Sequence, residues 1–254
     1  MKIAIVTGAS SGMGREFVKQ ISEGKRPPEE LWVIARRKER LEELQREVGT
    51  RLRLFECDLT KEACVGEVAA VLRDEAPEVM LLANCAGFAK FGEYGEIREQ
   101  DTLAMIDLNV RALVMMTDAV IPYMPEGASI VEIASTAAFQ PLPGMNVYAA
   151  SKAFVLSYAR ALNSELGPRG ISVTAVCPGW TKTEFFDVAQ RNADAKAVGK
   201  FPFMSKPEKV VAHALKNAEN HREMSVYGII NKGHLFFSKF LPDSFIMTVW
   251  NAMR

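Results

Sequence analysis

An excess of either charge is missing from this sequence: 31 Lys and Arg residues balance 31 Asp and Glu residues over 254 positions. Without a net field, neither nucleic acid nor an anionic membrane surface is recruited electrostatically, and a small molecule is the expected partner. Cysteine is scarce. The four, at positions 57, 64, 85 and 177, form no CxxC pair and fall short of a disulfide scaffold, so they read as reduced thiols. Histidine is scarcer still, and His213, His221 and His234 match no motif. They read as surface or packing residues, and no cluster supports a metal site. No apolar run reaches membrane-spanning length, and no apolar leader with a cleavage site follows Met1, so the expectation is a soluble cytoplasmic protein. No repeat, low-complexity tract or linker divides the chain. Residues 1–254 therefore read as a single domain, and a hydrophobic content of 48% supplies a large core.

What the chain does have is a regular alternation of short β-branched runs with longer segments of helical period. KIAIV, LWVIA, RLRLF, VMLLA, SIVEIA, SVTAV and SVYGII read as seven strands, and residues 12–23, 38–48, 61–75, 99–120, 147–166 and 207–219 as helices. Strands apolar on both faces and joined by helical crossovers require a parallel sheet with helices on both sides, a doubly wound α/β architecture. Two segments break the alternation, the polar, helical stretch 181–206 and the apolar tail 233–254. Both read as additions to the core pattern.

The first strand runs into IVTGASSGMGREF, with glycines at 8, 12 and 14. Glycine lets the backbone turn tightly and approach a pyrophosphate, while the helix that starts there offers free N–H groups and a positive dipole end. A strand, such a turn and a helix make a dinucleotide site; a triphosphate loop fits worse, since no Gly-Lys-Ser/Thr follows. At the end of the second strand, VIARRKERL places Arg36 and Arg37 where a carboxylate would bind the 2′-hydroxyl of NAD. A guanidinium there suits the 2′-phosphate of NADP, which makes NADP the expected cofactor. The alternative at this point is a solvated charge cluster at a helix start.

Thr7-Gly8-Ala9-Ser10-Ser11-Gly12-Met13-Gly14 resembles the signature of the short-chain dehydrogenase/reductases, and further family positions recur in order in ECDLT, ANCAG, IDLNVRAL, EIASTAAF, NVYAASKAF and CPGWTKTEF. The resemblance extends over about residues 3–231. It implies a Rossmann-like doubly wound seven-stranded parallel sheet. It also implies that the cofactor is held by Gly8, Ser10, Ser11, Gly12, Met13 and Gly14 at the pyrophosphate, Arg36 and Arg37 at the 2′-phosphate, and Asp58 and Leu59 at the adenine. Asn84, Ala86 and Gly87 follow the fourth strand, Tyr148 and Lys152 face the nicotinamide ribose, and Pro178, Gly179, Thr181 and Thr183 position the carboxamide. Two positions depart from the family: Cys85 replaces the second Asn of its Asn-Asn-Ala-Gly, which should loosen the strand ends, and Ser11 stands where many NADP-dependent members carry a basic residue.

The same resemblance makes Asn109, Ser135, Tyr148 and Lys152 the catalytic set. Hydride leaving a nicotinamide for a ketone carbon creates an alkoxide that needs a proton. Tyr148 is the donor. A free phenol titrates near ~10, and the ammonium of Lys152, four residues along the same helix face, should favour the phenolate. Ser135 would hydrogen-bond the carbonyl oxygen as charge develops on it. Asn109, by resemblance, anchors a water that relays protons toward Lys152.

For the substrate, Phe88, Phe139 and Phe185, with Phe186, Phe201 and Phe203, form a prospective apolar wall suited to a hydrophobic ketone or secondary alcohol such as a steroid or fatty ketone. A 3-oxoacyl thioester is the alternative substrate class, and closure of the insertion onto the core is an equal alternative role for these aromatics. In the tail, Pro242 and Asp243 are placed to restart a short helix. Its apolar face is expected at a subunit interface or over the substrate pocket ahead of reversible membrane contact. A homodimer or homotetramer follows from the resemblance, through the helices beginning near 99 and 147. A dinucleotide-sensing binding protein of the same fold is the competing class, and such a protein would have no use for the complete catalytic set.

Overall fold

Alternation along the first strand divides the core in two. In the computed structural model, which describes residues 1–190 and 203–253, β1 (Lys2–Thr7) sends Ile3 and Ile5 to one side and Ala4 and Val6 to the other. The first side packs on α3 (Glu62–Glu75), α5 (Ala112–Val120) and α6 (Asn146–Leu166) through Val68, Leu72, Met116, Val120 and Leu162. The second packs on α1 (Gly12–Ser22), α2 (Lys38–Glu47) and α8 (Pro207–Glu219) through Phe17, Leu41, Leu44 and Val211.

The remaining strands are β2 (Glu30–Ala35), β3 (Arg51–Glu56), β4 (Glu78–Asn84), β5 (Ser129–Ile133), β6 (Ser172–Val176) and β7 (Met224–Ser225). All pairs are parallel, in the order β3-β2-β1-β4-β5-β6-β7, which is the expected sheet. The order reverses between β1 and β4. Such a switch point leaves a crevice beyond the carboxyl ends of the strands, where ligands of open α/β sheets bind.

Three details differ from expectation. Residues 99–120 do not form one α-helix: α4 (Glu99–Ile106) passes through a π-turn at Asp107–Arg111 before α5. Of SVYGII, only Ser225 belongs to a strand, β7, because the chain then leaves the sheet and Gly228, at φ 90°, turns it into α9 (Ile229–Ser238). Cys57 and Cys64 are joined as a disulfide across the end of β3 and the start of α3, so the reading of four reduced thiols holds for Cys85 and Cys177 alone. Sequence spacing cannot reveal a pairing that the turn between two elements creates. Within 181–206 the described part contains α7 (Phe185–Gln190), and residues 191–202 lie outside the described residues. The tail restarts at Asp243 as expected, in α10 (Asp243–Met253). Among the described residues, no helix is long and apolar enough to cross a membrane.

Candidate active site

Gly8 has φ 67°, and its N–H donates to Ile34 O at 2.9 Å across the crevice mouth. A Cβ on Gly8 would lie 2.8 Å from Ala86 Cα, and one on Gly14 only 2.3 Å from Gly8 O. Both positions therefore require glycine, and the turn they form keeps bare backbone against the crevice. Gly8, Ser10, Ser11, Gly12, Met13 and Gly14 all line one cavity of about 1450 Å³. The cradle that a side chain would fill, at the start of α1, fits a pyrophosphate.

Arg36 and Arg37 line the same cavity. Arg37 is held in place: Nε and Nη2 each donate to Ser10 Oγ at 3.3 Å, and Nη1 meets Glu184 Oε2 at 3.0 Å. This prepositions a guanidinium for a phosphate, although Glu184, just ahead of α7, competes for it. Loss of charge-assisted bonds costs about 1.5–3 kcal/mol each, so Arg37→Ala should weaken NADPH binding by roughly 10–100-fold and leave NADH binding nearly unchanged in fluorescence titrations. Equal losses for both cofactors would remove Arg37 from 2′-phosphate recognition.

Asp58 and Leu59 also line the cavity. Asp58 Oδ1 accepts from Thr60 N at 3.0 Å and Thr60 Oγ1 at 2.9 Å, and the Cys57–Cys64 bond closes the loop that carries both residues. Ala86 and Gly87 face the cavity, but Asn84 does not. Its buried amide turns into the core and donates to Thr117 Oγ1 at 2.9 Å and Glu132 Oε1 at 3.1 Å. Alternation along β4 accounts for this, since neighbouring side chains must point opposite ways. Burial holds the Cys85 thiol well above its usual range. Pro178, Gly179, Thr181 and Thr183 line the cavity as well, and a Cβ on Gly179 would come within 2.4 Å of Asn231 Oδ1.

Ser135 follows β5, while Tyr148 and Lys152 come from the first two turns of α6; all three line the cavity and all are buried. Ser135 Oγ accepts from Ala137 N at 3.1 Å, which caps the short turn Thr136–Phe139 and fixes the side chain. Lys152 Nζ donates to Ile133 O at 2.7 Å and lies 5.9 Å from the centroid of the Tyr148 ring. Burial pushes the Tyr148 phenol up to about 12, opposed by its hydrogen bond with Ser135. Burial likewise pushes Lys152 down to about 8, opposed by Glu132. Desolvation thus outweighs the expected drop in the phenol.

Asn109 sits on the π-turn, fully buried behind the cavity wall. Its Oδ1 accepts from Phe88 N at 3.0 Å, and its Nδ2 donates to Phe88 O at 2.9 Å and Ser151 Oγ at 3.2 Å. A Cβ on Gly87 would lie 3.0 Å from Asn109 Oδ1 and 3.4 Å from Lys152 Nζ. Asn109 therefore fixes the backbone beside Lys152. A π-turn at such a position is a recurrent functional device, and nothing in hydrophobic period predicts it.

Phe88 and Phe185 also line the cavity, with Phe185 5.6 Å from Tyr148 between ring centroids. Phe186 and Phe203 join them. Phe139 is absent from the cavity lining, because the turn after Ser135 aims its ring edge-on at His234, 5.8 Å away, in a cluster behind the wall. Phe201 lies outside the described residues. His234 itself lines the cavity from α9, a placement missed by treating it as a packing residue; its helical spacing to Phe237, Ser238 and Leu241, which also line it, was the available signal. From α10 come Phe245, Ile246, Val249 and Trp250, and Trp250 Nε1 donates to Pro143 O at 2.9 Å.

The family model for short chain dehydrogenase matches residues 2–194. The chain belongs to the short-chain dehydrogenase/reductase family. Among relatives of this short-chain dehydrogenase/reductase, sulfoacetaldehyde reductase 2 of Chromohalobacter salexigens is 38% identical over 189 residues, 72% of this chain and 74% of that protein. The NADP-dependent 3-hydroxy acid dehydrogenase YdfG of Escherichia coli K12 is 36% identical over 203 residues, covering 77% and 79%. A short-chain dehydrogenase from Sphingobium yanoikuyae, solved with NADPH, superposes with a TM-score of 0.77 at 27% identity, covering 95% and 96%. In this short-chain dehydrogenase/reductase, Asn109, Ser135, Tyr148 and Lys152 all fall inside the matched span, whereas α9 and α10 lie beyond it.

Proposed function

We propose that the protein is an NADP(H)-dependent oxidoreductase that moves hydride between the nicotinamide and a ketone or secondary alcohol bearing hydrophobic substituents. The observation that carries this reading is the convergence of Ser135, Tyr148 and Lys152 on one cavity that the glycine turn and Arg37 open toward a dinucleotide and that α9 and α10 roof with apolar side chains. When bound, the cofactor supplies or accepts the hydride. In reduction, Tyr148 gives its hydroxyl proton to the nascent alkoxide and Ser135 donates a hydrogen bond to the same oxygen. Lys152 holds positive charge beside the phenol and toward the ribose, and Asn109 keeps the intervening backbone fixed.

One relative is a sulfoacetaldehyde reductase and the other a 3-hydroxy acid dehydrogenase, but the cavity here departs toward apolar chemistry. Phe237, Leu241, Phe245, Val249 and Trp250 contribute to it from beyond the family-matched span. NADPH consumption measured against a steroid, a long-chain ketone, a 3-oxoacyl thioester and a short 3-oxo acid should show the lowest KM for the hydrophobic ketones. A preference for the short acid would overturn that assignment, and tight NADPH binding with no turnover on any ketone would favour a dinucleotide sensor.

The reading includes a homodimer or homotetramer built through α4 and α6. Leu103 and Ile106 of α4 and Phe154 of α6 are exposed although large and apolar, and the two helices pack together. Phe154→Glu should lower the mass measured by light scattering; an unchanged mass would remove α6 from the interface. A cytoplasmic location belongs to the same reading, and recovery of the full chain in a membrane pellet would contradict it.

A further inference from the structure

Glu184 joins two walls of the cavity, and hydride transfer has no use for it. Its carboxylate reaches from the segment after β6 to the start of α2: Arg37 Nη1 donates to Oε2 at 3.0 Å, and Arg40 Nη2 lies 3.8 Å from Oε1. The residues on either side of it face the chemistry. A Cβ on Gly12 would lie 3.3 Å from Thr183 Cβ, so Thr183 packs over the glycine turn. Phe185 stands 5.6 Å from the Tyr148 ring and 6.4 Å from the Phe91 ring between centroids.

The two partners of Arg37 differ in what they can share. Ser10 Oγ accepts from Nε and Nη2 but still has a hydroxyl proton to give, so it can stay beside a phosphate. A carboxylate only accepts, and its charge repels a phosphate that approaches the same guanidinium. Glu184 is therefore the partner that must leave. The pair is weak enough to exchange, since both side chains are 45% exposed. Little else holds the segment at this point: Phe185 N donates to Thr183 Oγ1 at 3.3 Å, and Val188 N donates to Glu184 O at 3.3 Å where α7 begins.

We propose that Glu184 is a specificity-determining residue that works as a latch: its carboxylate holds Arg37, pins the start of α7 to the α2 wall, and yields Arg37 to the 2′-phosphate of NADP(H) but not to the 2′-hydroxyl of NAD(H). Two consequences follow from the geometry. Affinity for the phosphorylated cofactor stays below what Arg37 alone would give, and only that cofactor frees the residue next to Phe185.

The proposal rests on the NADP reading of the site, and adenosine 2′,5′-bisphosphate tests it without turnover, since this probe carries the 2′-phosphate and no nicotinamide. Glu184→Gln should bind the bisphosphate and NADPH about two- to five-fold more tightly than the natural protein in titrations, with NADH affinity unchanged. In an Arg37→Ala background the same substitution should bring little or no gain. In the natural protein, the bisphosphate should speed hydrogen exchange at the backbone amides of Phe185–Gln190 about two- to five-fold relative to adenosine 5′-phosphate, and Glu184→Gln should show the faster exchange with no nucleotide added. Unchanged bisphosphate affinity in Glu184→Gln, while Arg37→Ala still weakens it, would overturn the latch and leave the NADP reading standing. A gain that persists undiminished without Arg37 would show a general charge effect and also overturn it, as would equal exchange with the two nucleotides. Arg37→Ala alone leaving bisphosphate affinity unchanged would instead refute the role of Arg37 at the 2′-phosphate, and the latch with it.

Discussion

Tyr148→Phe should retain NADPH binding and lose about 10²–10⁴-fold in kcat, the usual contribution of a positioned proton donor. The substitution removes one hydroxyl and leaves the ring, so the packing of residue 148 against Phe185, 5.6 Å between centroids, survives. Folding is therefore little affected. What disappears is the proton for the alkoxide. Burial pushes the phenol up to about 12, so Tyr148 holds its proton at neutral pH. That is the form needed for ketone reduction. Alcohol oxidation needs the phenolate, so its rate should climb with pH over the range below about 12 while reduction does not. Single-turnover NADPH oxidation and its reverse, each across pH, test both statements. Near-normal turnover in the Phe variant would remove Tyr148 from the chemistry, and parallel pH profiles in the two directions would contradict its assigned protonation state.

How much of this site the sequence discloses depends on whether a feature is local. The turn from Thr7 to Gly14 is local: Gly8 needs its positive φ and Gly14 its missing Cβ for reasons contained within a few residues and the strand beside them. The four-residue spacing of Tyr148 and Lys152 is also local, since one helix sets it. Features that depend on what folds against them are not disclosed. Asn84 belongs to a recognisable segment, yet which way its amide points is decided by the pleat and by Thr117 and Glu132 across the core. Glu132 looks like an ordinary polar residue in SIVEIA until the sheet buries it. Phe139 ends the turn Thr136–Phe139, which aims its ring at His234, and His234 enters the cavity because α9 folds back over it. The pairing of Cys57 with Cys64 likewise needs a β3–α3 turn that brings their Cα atoms within 5.5 Å.

Deleting α10, residues 243–254, should raise KM for a hydrophobic ketone by about 100-fold, leaving kcat for a short ketone and the affinity for NADPH close to their starting values. The helix places Phe245, Ile246, Val249 and Trp250 on the cavity, and Trp250 is tied down by its bond to Pro143 O and stacks on Trp180 at 6.5 Å. Burying one large apolar side chain contributes about 1.5–3 kcal/mol, so losing two such contacts with a substrate amounts to about 3 kcal/mol or more, roughly 100-fold in affinity. These contacts lie away from the reacting carbon and are the same before and during hydride transfer, which is why the change belongs in KM. NADPH affinity is spared because the glycine turn, Arg37 and Asp58 lie outside α10. Trp250→Ala is the milder companion, expected to move KM in the same direction while keeping the helix. If neither change alters KM for any hydrophobic ketone, α10 is not a cover for substrate. Its apolar residues, with the exposed Phe236 of α9 and Phe240 just after that helix, would then have to be explained by a contact with another molecule.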